Sequence, residues 1–300
     1  MELRVLQYFL AVAREQNITA AAESLHLSQP TLSTQLKALE EELGKQLLIR
    51  GTKGSRKVTL TQEGMILRKR AEEILDLVQK TENEISLSDD VVAGDIYIGT
   101  GETNTIRLFA RAAGKLQRSC PHIHYHIFSG NSAYVLEMLD KGLVDFGLLY
   151  SSVDLSKYDT LNVPVRDVWG VLMRRDSPLA KKEAIRPEDL WDLPLIVSHQ
   201  ENARPLLSSW LKKDLSELNV VATYNLVLNA SMLTDEGFGY TICYDRLLDT
   251  ENSPSLCFRP LSPPLEAEAT IIWKKYQVFS RAAEAFLEQL KKTFRQQEND

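Results

Sequence analysis

Cysteine is scarce: Cys120, Cys243 and Cys257 lie far apart in 300 residues, with no Cys-x-x-Cys pair. That spacing argues against a disulfide framework or a cysteine zinc site and fits a reducing cytoplasm. Long apolar runs are missing too. The stretch Phe146 to Tyr150 is strand-length, far short of the about 20 residues a membrane span needs. Glu2, Arg4 and Gln7 interrupt the start of the chain, so the layout of a signal peptide is absent. Catalytic signatures are missing as well: there is no G-x-S-x-G, H-E-x-x-H or P-loop GK[ST]. GDIYIGTGETN contains GTG but no third glycine at dinucleotide-binding spacing. Nor is there a basic excess, since the formal net charge is -6. This does not exclude nucleic acid, because a local patch binds DNA rather than a whole-chain sum. The length points to two or three domains of ordinary soluble composition.

What is present divides into four zones. In the first, Leu3, Leu6, Phe9, Leu10 and Ala13 recur at helical spacing and predict a helix that ends near Asn17. Thr19 is read as the N-cap of a short helix, Ala20 to Leu25, with Glu23 as capping partner. After a turn at His26-Leu27, Ser28 caps a third helix from about Pro30 to Leu43. Leu32, Leu36, Leu39 and Leu43 form its apolar stripe, and Gly44 ends it. Two extended pieces, Gln46–Ile49 and Lys57–Leu60, flank the loop RGTKGS and read as a hairpin wing. The second zone, Thr61 to about Ser88, is a long helix. Leu67, Ala71, Ile74, Val78, Thr81 and Ile85 form a heptad-like seam suited to a second helix. A helix lying on its own domain is the alternative.

The third zone alternates strand and helix: strand Gly94–Thr100, helix Asn104–Arg118, strand Ile123–Phe128, helix Ser132–Lys141, strand Val144–Tyr150. That order implies a parallel sheet. The fourth begins with two strands, Leu161–Val165 and Val168–Arg174. It continues with strand Leu195–Ser198, helix Pro205–Leu215, strand Val220–Asn225, helix Ser231–Glu236 and strand Tyr240–Cys243. Strand Ala269–Lys274 and helix Ser280–Gln296 close the chain. Two α/β halves joined by short crossings predict a two-lobed shape with a cleft between the lobes.

The segment QNITAAAESLHLSQPTLSTQLKALEEELGKQLLIR closely resembles the winged helix–turn–helix of LysR-type transcriptional regulators. The likeness runs on through VTLTQEG and covers essentially the first sixty-six residues; the later zones follow that family's layout in order and length. It implies an all-α winged helix–turn–helix at 1–60 and a linker and dimerisation helix at 61–89. An α/β two-lobed effector domain similar to periplasmic binding proteins (type 2) then fills 90–300. Lobe 1 is expected at about 90–160 and 266–300, lobe 2 at about 161–265. Double-stranded promoter DNA is the implied partner. The implied assembly is a homodimer through the linker helix and a homotetramer beyond it, with contact to RNA polymerase as a further expectation. No membrane association, no enzymatic activity and no cofactor other than a small-molecule effector are expected, in the cytoplasm.

Physical chemistry places roles on these residues. Ser28, Gln29, Pro30 and Thr31 open the recognition helix, where side chains face base edges. Gln29 suits adenine, and Pro30 and the Thr31 methyl suit a thymine methyl. Ser33, Thr34 and Lys37 follow on the same side, with Thr19 at the preceding helix. Many family members carry arginine where this chain has Thr34. Gly44 to Lys57 holds Lys45, Arg50, Lys53, Arg56 and Lys57 and no acidic residue. Arg50, Lys53, Arg56 and Lys57 are therefore candidates for phosphate contacts. Through Leu60 eight Lys and Arg oppose six Glu, so the acidic excess lies elsewhere.

Effector contacts are expected at the carboxyl ends of strands. These are Thr100, Gly101, Glu102 and Thr103; Ser129, Gly130 and Asn131; Tyr150 and Ser151; Ser198 and His199; and Asn225. Glu102 hints at a ligand with a donor or positive group, or else points away from the ligand. His122, His124 and His126 alternate in PHIHYHIF and share a strand face, which raises metal binding, pH sensing or a plain polar face. The competing reading is a small-molecule binder or α/β enzyme carrying an accessory DNA-binding head. A DNA-bending protein fits less well, since bending needs no cleft.

Overall fold

The computed structural model describes residues 1–51, 57–86, 92–150, 154–199 and 203–297. It has two compact units, Met1–Ser86 and Leu87–Asp300.

The first unit holds α1 (Leu3–Glu15), α2 (Ile18–Ser24), α3 (Gln29–Leu43), the antiparallel hairpin β1 (Leu48–Arg50) and β2 (Val58–Leu60), and α4 (Gln62–Ser86). Its core gathers Phe9 and Val12 of α1, Ala21 and Ala22 of α2, and Leu32, Leu36 and Leu39 of α3. Alanines on α2 let the neighbouring helices approach closely. Leu43 departs from the expected stripe and stands exposed, because Gly44, at φ +63°, turns the chain away there. The cap of α2 also differs from expectation: Asn17 accepts from the amides of Thr19 and Ala20. Its short carboxamide reaches both orphan donors of the first turn, so the helix begins at Ile18 rather than Ala20.

The entry to α4 is tightly built. Thr61 Oγ1 accepts from Gly64 N at 2.9 Å and donates to Gln46 O at 2.8 Å. A Cβ on Gly64 would sit 2.2 Å from the Leu47 carbonyl oxygen. The expected seam of α4 divides. Leu67 and Ala71 pack on their own head, with Ala71 fully buried, whereas Ile85 is exposed.

The second unit is one nine-stranded sheet bent into two lobes. Lobe 1 contains β3 (Gly94–Thr100), α5 (Ile106–Ser119), β4 (Ile123–Ser129), α6 (Ser132–Asp140) and β5 (Phe146–Tyr150). β3 pairs in parallel with both β4 and β5. β6 (Tyr158–Arg174) then runs through both lobes as a single 17-residue strand, which corrects the expectation of two. The backbone stays extended across Arg166–Val168 because these residues pair with Glu266–Glu268. Consequently Leu161, Val163 and Val165 belong to the lobe 1 core.

Lobe 2 contains β7 (Leu195–Ser198), α7 (Ala203–Leu211), β8 (Val220–Tyr224), α8 (Val227–Asp235), β9 (Tyr240–Tyr244) and β10 (Leu256–Pro260). β10, which has no counterpart in the sequence reading, pairs with β6. The chain returns through β11 (Glu266–Lys274) and ends in α9 (Arg281–Gln297), which packs on α5. α7 stops at Leu211, short of the expected Leu215, and a 3₁₀ turn capped by Asp214 follows. α8 begins four residues before the expected Ser231. Lobe 1 packs around Phe146 and Phe286, and lobe 2 around Trp169, Leu207 and Ile242.

Candidate functional site

The first candidate surface is the outer face of α3. Ser28 Oγ accepts from Thr31 N at 3.3 Å and shares a 2.7 Å bond with Thr31 Oγ1. The cap thus fixes the start of the helix and uses the Ser28 hydroxyl. Burial of Leu32, Leu36 and Leu39 sets the rotation, leaving Gln29, Pro30, Thr31, Thr34 and Lys37 exposed and Ser33 half-buried. Thr34 Oγ1 donates back to the Pro30 carbonyl at 2.9 Å, so its hydroxyl is engaged with the helix backbone. Arg50, expected to hold phosphate, pairs with Glu40 at 3.1 Å. Glu40 also accepts from the amides of Leu47 and Leu48 at 2.8 and 3.0 Å. This carboxylate locks the hairpin onto α3 and offsets the arginine charge. Thr19 is half-buried beside its Asn17 cap, and Lys57 is exposed before β2. Lys53 and Arg56 lie outside the described residues.

The second candidate site lies where β6 and β11 cross between the lobes. A cavity of about 310 Å³ is bounded by Ser132 and Tyr150 of lobe 1 and by Trp169, Ala203, Leu206 and Tyr244 of lobe 2. Arg166, Glu266, Ala267 and Glu268 of the crossing strands complete it. Tyr150 stacks on Tyr244 with ring centres 4.9 Å apart, and Tyr244 leans on Trp169 at 4.3 Å. Trp169 is 3% exposed, and its indole N–H has no acceptor among the described residues. Leaving such a donor unpaired costs about 1–3 kcal/mol. Arg166 bonds Glu266 at 2.9 Å and also pairs with Glu268.

Behind Tyr150 is a buried polar knot. Asp167 Oδ2 accepts from Thr103 Oγ1 at 2.5 Å, from Thr105 Oγ1 at 3.1 Å and from the Tyr150 hydroxyl. Burial pushes the Asp167 carboxyl above the ordinary range despite these hydroxyls, and the charge of Asp245 adds to the rise. The knot ties the end of β3 to the crossing strand. Glu102 makes a second tie between the lobes: its carboxylate accepts from Val227 N at the start of α8. Leu226 offers α8 no side-chain cap, so a lobe 1 residue supplies one and places negative charge at the helix N-terminus.

Of the described residues expected to contact an effector, only Tyr150 lines this cavity. Thr100 is buried with its hydroxyl on the Gly101 carbonyl. Thr103 belongs to the Asp167 knot, and Asn131 caps α6 through the Tyr134 amide. Ser198 is buried, while Ser129, His199 and Asn225 are exposed. Gly101 and Gly130 form the loops beside them, and Ser151 lies outside the described residues. Sequence reading missed Trp169, Tyr244 and Asp167, because alternation along a strand does not say which strands face the cleft. His122, His124 and His126 are exposed. His126 stacks on Tyr97 and lies 3.0 Å from Asp95. No group of three or more His, Cys, Asp or Glu among the described residues could hold a metal.

Comparison with known proteins decides the family. Residues 89–295 match the family described as LysR substrate binding domain, and residues 3–65 match bacterial regulatory helix-turn-helix protein, lysR family. The chain belongs to the LysR family of transcriptional regulators. A relative, the HTH-type transcriptional regulator BsdA of Bacillus subtilis (strain 168), is 31% identical over 81% of this chain and 83% of its own length. The hydrogen peroxide-inducible genes activator of Pectobacterium carotovorum subsp. carotovorum is 31% identical over 63% of this chain and 62% of its own. Among solved structures, full-length CbnR complexed with its target DNA shares the fold with a TM-score of 0.76. It is 20% identical, covering 98% of this chain and all of that one. The two-lobed α/β domain behind a helix–turn–helix head is therefore the fold of a LysR regulator. Among the described residues, no helix is long and apolar enough to cross a membrane.

Proposed function

We propose that this LysR regulator reads promoter DNA through α3 and answers to a small molecule held between its lobes. It works in the cytoplasm by binding rather than catalysis, without a further cofactor, as a homodimer that pairs into a homotetramer and contacts RNA polymerase. The observation that carries the reading is the outer row of α3. Gln29, Pro30 and Thr31 are exposed on a helix whose rotation is fixed by three buried leucines. Amides and methyls on a fixed helix start suit base edges, and Lys37 about two turns on suits a phosphate. CbnR, of the same fold, is solved on its target DNA, which supports this use of the head.

Peroxide sensing, which the name of one relative carries, gains no support from two of the three thiols. Cys243 and Cys257 are buried, and burial pushes the Cys243 thiol up to about 12. A thiol held protonated is a poor nucleophile.

The test is fluorescence anisotropy of the full chain on the DNA upstream of its own reading frame, across a salt series. Gln29→Ala is expected to lose discrimination between that DNA and a scrambled duplex. Lys37→Ala is expected to weaken binding to both and to flatten the salt slope by about one unit. Wild-type affinity and slope in both variants would remove α3 from the interface.

A further inference from the structure

The cavity at the crossing of the lobes constrains what can fill it, and this step rests on the effector reading above. Its walls are flat. Tyr150 of lobe 1 and Tyr244 of lobe 2 line it stacked on one another, and Trp169 lies against Tyr244. Such walls favour another flat ring, offset-stacked or edge-on. The volume of about 310 Å³ is at the small end for ligand sites, so it suits one or two rings.

Trp169, which lines the cavity, carries an unused donor: its indole N–H is buried and without an acceptor among the described residues. Buried polar groups are paired in nearly all native structures, and an exception calls for an explanation. A ligand acceptor supplies one.

The charge balance is equally specific. Arg166 is the only cation among the described lining residues, and it lies between Glu266 and Glu268. The stretches adjoining the lining in sequence, 151–153 and 200–202, contain no lysine, arginine or histidine. α7 starts at Ala203 on this wall, and a helix N-terminus contributes about half a positive charge. One cation and that half-charge against two carboxylates leave the cavity net negative. The N-terminus of α8 already holds the chain's own Glu102.

We infer that the co-inducer is a planar aromatic molecule, uncharged or cationic, with a hydrogen-bond acceptor such as a carbonyl or ring nitrogen for Trp169. Its ring opens the stack of Tyr150 on Tyr244, and its acceptor edge meets the indole. Because Tyr150 and Tyr244 belong to different lobes, a ring held between them couples occupancy to the lobe angle. A carboxylate on that ring is disfavoured by Glu266 and Glu268.

The test uses three probes of similar size with the full chain: benzamide, benzoate and cyclohexanecarboxamide. Calorimetry is expected to give benzamide at least tenfold tighter binding than either of the others. Trp169→Phe, which keeps the aromatic wall, is expected to weaken benzamide about tenfold. Benzoate binding as tightly as benzamide would overturn the charge argument. Equal binding of the non-planar amide would overturn the ring argument. An unchanged benzamide affinity in Trp169→Phe would overturn the role of the indole. Binding of none of the three at millimolar concentration would overturn the ligand class. If benzoate binds in place of benzamide, hydrogen exchange keeps failure of the ligand class apart from failure of the effector reading. Protection of Tyr150 and Tyr244 by benzoate would retain the cleft as the effector site and discard the class, whereas binding without protection there would discard both.

Discussion

The contact of Glu102 with α8 should govern how firmly the two lobes hold together. Its carboxylate accepts from Val227 N across 125 residues of chain, and Leu226 gives α8 no side-chain cap of its own. Losing a cap costs a helix about 0.5–2 kcal/mol. The charge at the N-terminus accounts for about 0.3–1 kcal/mol of that at an exposed site and up to ~2 in a partly buried one. Glu102→Gln keeps an acceptor oxygen and loses the charge, so about 0.7 kcal/mol should be lost. Glu102→Ala loses both, about 1.4 kcal/mol, which is tenfold in an equilibrium. Hydrogen exchange on the full chain reads this directly. Protection at Val227–Ala230 should fall about threefold in Gln and about tenfold in Ala, while β7 keeps its protection. If α8 exchanged as in the wild type in both variants, the tie would carry no energy. A uniform fall across lobe 2 would instead mean a general loss of stability, and the reasoning from the cap would fail.

Other consequences are open to measurement. Gly64→Ala should destabilise the head by about 1–3 kcal/mol, since the new Cβ meets the Leu47 carbonyl oxygen at 2.2 Å; thermal unfolding reads it, and an unchanged midpoint would contradict the packing. Asn17→Ala should cost about 1 kcal/mol through the cap of α2, visible as a lower midpoint in urea, whereas Thr19→Val should leave it nearly unchanged. Asp167 sets a pH dependence. Its folded carboxyl holds a proton more tightly than the unfolded one. Its contribution to stability is therefore complete below the unfolded value, about 3.9, and declines as pH rises through the raised folded value. Asp167→Asn should flatten that decline in a pH series of urea unfolding. A decline of the same size in the variant would assign it to another group.

Much of the head was legible because its signals are local. Ser28 before Gln-Pro, the leucine stripe and Gly44 each act within a turn or two of their own position, and α3 follows them with only its first residue shifted. The Asn17 cap was equally local; reading Thr19 instead overlooked that asparagine ranks above threonine as a cap. The parallel strands of lobe 1 were legible from alternation, and Gly94–Thr100 appears with the expected bounds. What failed was continuity. Strand β6 reads as two because Arg166 and Asp167 break its apolar pattern. The breaking residues are the ones that cross between lobes, where one side chain faces glutamates and the next enters a buried knot.

The chemistry of the cleft was illegible for a related reason. Residues at strand ends were natural suspects, yet most of them serve the fold. Thr103 feeds Asp167, Asn131 caps α6, and Glu102 caps α8 from the other lobe. Their polar groups are engaged, so a ligand gains little from them without first breaking a structural bond. The group unspent among the described residues is an indole on a strand of lobe 2, residue 169, which leans on residue 244, itself stacked on residue 150. Nothing in the spacing of those three positions signals that they meet. They meet because β5, β6 and β9 approach one crossing, and the order of strands in a sheet is set by packing rather than by any local motif. Whether such a polar group is satisfied becomes visible only when all its neighbours are known. For this regulator the face proposed to read DNA could therefore be located from sequence, while the proposed ligand class had to be inferred from a donor unpaired among the described residues and the charges around it.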